Sequence, residues 1–151
     1  MKLAEALIER AELQKKNSQL INRIMHNTMV QEGDNPAEEP TSLIEEYEKN
    51  MDRLEYLIKR INETNSKTKI DNGSTISEAI AKRDCLSTKI NTYRMIYDSA
   101  TIRQDRYSSK EVKFVRCIDA GKIQNTINIL SKEFRELDTA LQGINWNTEL
   151  L

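Results

Sequence analysis

Apolar residues recur at steps of three and four along four stretches of the chain. In the first, from about Lys2 to Thr28, the series is Leu3, Ala6, Arg10, Leu13, Asn17, Leu20, Ile24, and Leu7 and Ile21 widen the stripe. Such spacing places these positions on one face of a helix. The second series is Ile44, Tyr47, Met51, Leu54, Ile58, Ile61, a heptad seam that should run to about Thr64. The third is Ile76, Ala79, Arg83, Leu86, Ile90, Tyr93, Tyr97, Ala100. The fourth is Ile123, Ile127, Leu130, Phe134, Leu137, Leu141, Ile144. Ser42 with Glu45, and Thr75 with Glu78, read as capping boxes before the second and third helices. Asp119 is the expected cap of the fourth.

Between these stretches the pattern breaks. Residues 29–41 hold both prolines of the chain and read as an acidic loop. Asn65 to Ser74 is polar, with Asp71-Asn72-Gly73 as a turn signal and room for a short strand over Lys67 to Ile70. Val112-Lys113-Phe114-Val115-Arg116-Cys117-Ile118 is rich in β-branched and aromatic residues and is the best strand candidate. Residues 145–151 form a short tail. An amphipathic helix is not stable alone. The pattern therefore predicts a single mainly α domain over 1–151: an antiparallel bundle of four long helices, with a short β element between the third and fourth.

Composition narrows this further. Of 151 residues, 23 are Lys or Arg and 24 are Asp or Glu, for a net charge of −1. That gives no global pull toward nucleic acid or anionic lipid. Four glycines and two prolines are too few for a turn-rich β sandwich. No run of ~18 apolar residues suits a membrane helix, and the start of the chain has no signal-peptide apolar core. Cytoplasmic residence is the default expectation. Cys85 and Cys117 lack CxxC spacing, which leaves two buried free thiols as the expected state.

Little in the sequence carries chemistry. His26 is the single histidine, so two-His metal motifs are excluded. Glu32, Asp34, Glu38 and Glu39 in the acidic loop do not follow the EF-hand spacing. No motif points to catalysis or to a cofactor. Arg10, Asn17 and Arg83 lie on the seams and form a candidate buried polar layer. Such a layer sets helix register and partner choice, or else holds a small polar ligand. Glu9, Glu12 and Asp84 are the carboxylates nearest these arginines in sequence. Charge is also uneven. Gln31 to Glu55 has nine acids against Lys49 and Arg53, whereas Thr101 to Lys122 has six bases against three acids. Pairing of these regions between copies, together with an exposed edge at Val112, Phe114, Val115 and Ile118, predicts a non-enzymatic homo-oligomer. Binding of a small ligand or metal ion stays open as an alternative.

Several segments resemble the septicolysin-like family: Lys2 through Ala11, Val30 through Asp34 with Pro36-Ala37-Glu38, Arg60-Ile61-Asn62 with Thr64-Asn65, and Asn145-Trp146 with Thr148-Glu149-Leu150. Ala79 with Arg83-Asp84, and Arg135-Glu136-Leu137-Asp138, fit as well. The resemblance implies a small, mostly helical, self-assembling bacterial protein. The family's name implies a cytolytic toxin as the rival function. It supplies no catalytic residues.

Overall fold

The computed structural model describes residues 1–71, 73–101 and 114–151. Four helices carry the mainly α fold: α1 (Leu3–His26), α2 (Pro40–Lys67), α3 (Ile76–Thr101) and α4 (Ala120–Asn147). The chain forms two compact units. One comprises Met1–Ser77 with Gln142–Leu151, and the other Glu78–Leu141.

In the first unit α1 and α2 run antiparallel, as cross-helix pairs show: Glu9 with Arg53, Lys16 with Glu46, and Arg23 with Glu38. Their shared core holds Leu3, Leu20, Leu57 and Ile61, all nearly or fully buried, with Ile76 from the start of α3. Each such side chain contributes roughly 1.5–3 kcal/mol on burial. The α1 seam is as its spacing predicts, although Ile21 is 46% exposed and does not join it. The α2 seam is rotated. Leu43, Leu54, Leu57, Ile61 and Thr64 are buried, while Ile44, Met51 and Ile58 are exposed. Two apolar stripes overlap on α2, and periodicity alone does not say which one faces α1.

The start of α2 also differs from expectation. Pro40 occupies the first turn, where its missing N–H costs nothing. Glu39 caps the helix by accepting from the Thr41 amide at 3.2 Å, in place of the Ser42–Glu45 box. Between α2 and α3 a tight hairpin pairs Lys69 with Thr75, and Gly73 adopts φ +83°, a conformation that L side chains resist. The predicted short strand is thus a single bridge. A second bridge joins the chain ends: the Leu3 amide donates to the Thr148 carbonyl and the Leu150 amide to the Met1 carbonyl, both at 2.9 Å. The Leu151 amide donates at 3.0 Å to the hydroxyl of fully buried Thr64. The tail at 145–151 is therefore hydrogen-bonded into this unit.

In the second unit α3 and α4 run antiparallel, joined by Lys82–Glu133 at 2.7 Å and Arg83–Asp138 at 3.5 Å. Leu86, Ile90, Ile127 and Leu141 are buried, in line with both predicted seams. Asp119 caps α4, its Oδ1 accepting from the Lys122 amide at 3.1 Å. The strand expected over 112–118 is not seen where the chain is described. Val112 lies outside the described residues. Phe114 through Cys117 are irregular, and Ile118 sits in a bend. β-branched and aromatic content favours a strand only where a neighbouring strand supplies hydrogen bonds, and the bridges formed lie elsewhere. Both cysteines are exposed free thiols, contrary to the buried state expected of them. Cys85 is one residue off the α3 seam position Leu86.

The end of α1 is fastened by Asn27, which is 8% exposed. Its Nδ2 donates to the Arg23 carbonyl at 2.9 Å, and its Oδ1 accepts the Glu38 amide at 3.0 Å. This one side chain closes the helix and holds the acidic loop against it. Asn27→Ala should lower stability by about 1–2 kcal/mol in urea unfolding, because a buried amide loses its acceptor. Hydrogen exchange at the Glu38 amide should accelerate at the same time; an unchanged rate would contradict this role.

Candidate functional site

The polar residues on the seams were the first candidates. Asn17 is 5% exposed, and its Nδ2 donates to the Met51 sulfur at 3.3 Å. Its Oδ1 and the Nδ2 of Asn50, which sits beside Met51 on α2, are both buried without a hydrogen-bond partner. Two asparagines in an otherwise apolar seam disfavour a slipped helix pairing, since slippage would place them against aliphatic side chains. Arg10 is half-buried and its Nε has no partner. The carboxylate next to it in sequence, Glu9, is taken by Arg53, which donates through Nε at 2.7 Å and Nη2 at 2.9 Å. Arg53 also lies 5.2 Å from the Tyr56 ring centroid.

Arg83 belongs to the second unit. It binds Asp84 through Nε at 3.0 Å and Nη2 at 2.8 Å, and reaches Asp138 at 3.5 Å. Asp84 is the partner that sequence proximity suggested. Arg10 and Asn17 lie two turns apart on α1 in the first unit, and Arg83 makes an inter-helix ion pair in the second.

The acidic loop is used structurally. Arg23 grips Glu38 through Nε at 2.9 Å and through Nη2. That hydrogen bonding holds the Glu38 carboxyl below the usual carboxylate range. Glu39 caps α2. Among the described residues, no three His, Cys, Asp or Glu side chains converge as metal ligands would. His26 bonds back to its own helix, its Nδ1 lying 2.6 Å from the Asn22 carbonyl oxygen. The Cys117 thiol lies 3.7 Å from the Val115 carbonyl.

A concave feature absent from the sequence reading lies within the second unit. Ser87, Asn91 and Arg94 on α3 face Ser131 and Arg135 on α4 across a groove of about 180 Å³. Ile90 and Phe134 form its apolar floor. Its residues fall at i, i+4 and i+7 on α3 and at i and i+4 on α4, so each set shares one helix face. The Ser131 hydroxyl is buried without a hydrogen-bond partner. The signal available in the sequence was this polar ridge beside two seam residues, Ile90 and Phe134. Polar residues flanking a seam are ordinarily solvated, so the ridge by itself does not mark a groove.

Residues 10–150 match a family described as a family of unknown function, DUF6847. This chain belongs to that family. A solved structure from Corynebacterium diphtheriae, described as a functionally unknown conserved protein, is 42% identical with a TM-score of 0.93, covering 100% of this chain and 99% of that one. No curated protein matches the chain. The protein is thus a four-helix member of an uncharacterised family. No described helix is long and apolar enough to cross a membrane.

Hydrogen bonding from Arg53 holds the Glu9 carboxyl below its usual range, against a smaller opposing effect of burial. A carboxyl depressed on folding stabilises the fold above its unfolded value, about 4.3, and loses that contribution as pH falls through the folded value. Melting temperature should therefore drop below about pH 4.3, and Glu9→Gln should shallow that drop. An equally steep drop in the variant would remove Glu9 as a contributor.

Proposed function

We propose that this DUF6847 member is a non-enzymatic protein that associates with its own copies through exposed apolar surface of the second unit. The observation that carries this reading is the segment before α4. Phe114 is 88% exposed, Val115 81% and Ile118 41%. Met95 on α3 and Ile129 on α4 are also well exposed in this unit. Exposed apolar surface of this kind characterises association sites where it is contiguous. The partner the chain itself supplies is a second copy, which presents the same surface and forms a self-complementary interface.

Charge contributes less than the uneven distribution along the sequence suggests. Three of the nine acids between Gln31 and Glu55 are paired within the first unit: Glu38 with Arg23, Glu46 with Lys16 and Glu55 with Lys59. Apolar contact is therefore the expected driving force, and such contact persists at high salt. The non-enzymatic reading is supported by the placement of His26, Glu38 and Glu39 in structural bonds of their own.

Sedimentation velocity should show a dimer or larger species at both low and high salt, shifted toward monomer by Phe114→Ser with Val115→Ser. A monomer at every concentration and salt level would overturn the proposal. Dye leakage from liposomes, measured on the same samples, would favour instead the cytolytic function implied by the septicolysin-like resemblance.

A further inference from the structure

Most described arginines have an internal counterpart. Arg23, Arg53, Arg60 and Arg83 pair with carboxylates, and Arg116 donates to the Ala100 carbonyl at 2.8 Å. Among the described residues Arg94 and Arg135, like Arg10 in the first unit, have neither kind of partner, and both line the same groove between α3 and α4. Two uncompensated guanidinium groups on one concavity repel each other and create a local positive potential, which a bound anion relieves. The rest of the lining is suited to an oxyanion. Ser87, Asn91 and Ser131 offer hydroxyl and amide donors, and the Ser131 hydroxyl is one whose hydrogen-bonding capacity the protein leaves unused.

We propose that this groove binds a small phosphate monoester. The charge fits: a phosphate monoester carries about −1.5 to −2 at pH 7, against two guanidinium charges. The geometry of recognition fits as well, because the planar fork of arginine matches two phosphate oxygens at once, while serine and asparagine donors reach the third. The floor of Ile90, which is 6% exposed, and half-buried Phe134 supplies apolar contact for the organic end of the ester. At about 180 Å³ the groove is smaller than the ~300–1,000 Å³ of sites for drug-sized ligands, which restricts the organic end to a compact body. The site is independent of the self-association proposed above, since its residues are distinct from Phe114, Val115 and Ile118.

The test is titration of the full-length protein with phenyl phosphate, inorganic phosphate and benzoate, followed by amide chemical shifts. The expected order of affinity is phenyl phosphate, then phosphate, then benzoate, with shifts centred on residues 87–94 and 131–135. Arg94→Gln and Arg135→Gln should each weaken phenyl phosphate about tenfold, the loss expected for one charge-assisted contact. Both side chains are exposed, so far-UV circular dichroism should be unchanged. Lys89→Gln, an exposed charge on α3 outside the groove, should leave affinity unaltered. Absence of saturable shifts with any phosphate, or equal weakening by Lys89→Gln and Arg94→Gln, overturns the proposal, the latter because it means diffuse charge attraction. Benzoate binding as tightly as phenyl phosphate would likewise overturn the assignment to a phosphate.

Discussion

Burial of one apolar stripe per helix is the interaction on which the rest of this structure depends. Each helix is 24 to 28 residues long, rich in charge outside its stripe, and too polar to persist without a partner. In the first unit the stripes of α1 and α2 meet around Leu3, Leu20, Leu57 and Ile61. Everything else there is arranged around that contact. The bidentate Arg53–Glu9 pair runs across it, Asn27 ties the acidic loop to its end, and Thr64 receives the C-terminal backbone. These polar contacts add direction to a force that has none.

Polar groups in this protein divide by what the fold does with them. Those in the first unit are largely consumed in holding it together, including the loop acids Glu38 and Glu39. Those along the α3/α4 groove of the second unit are not. Among the described residues, two arginines and a buried serine hydroxyl there have no internal partner, although the same unit satisfies Arg83 with two aspartates. Phe114, Val115 and Ile118 are exposed, apolar where the groove is charged. The two proposals thus concern different residues of the second unit: exposed apolar ones for a second copy, and the lining of the α3/α4 groove for a small anion.

Much of the architecture was legible in the residue order. The seams of α1, α3 and α4 lie where steps of three and four place them, and Asp119 caps α4 as its position suggests. On α2 the period was correct and the phase was not. Leu43 and Leu57 lie inside while Ile44, Met51 and Ile58 face outward, because isoleucine and leucine at adjacent positions offer two equivalent stripes. Of the candidate polar positions, Asn17 is buried in the first unit and Arg83 is paired in the second.

By itself the sequence determined the number of helices, their approximate ends and their period, since each follows from local chemistry: apolar spacing, caps, prolines and turn residues. Tertiary structure alone decided which face of α2 is buried, that Glu9 meets Arg53 and Asp138 meets Arg83, and that Arg94 and Arg135 share one groove. Those outcomes depend on contacts between residues some 40 or more positions apart, such as Glu9 with Arg53 and Arg83 with Asp138. A periodic pattern specifies that a helix has an inside; only the packed neighbour specifies where it is.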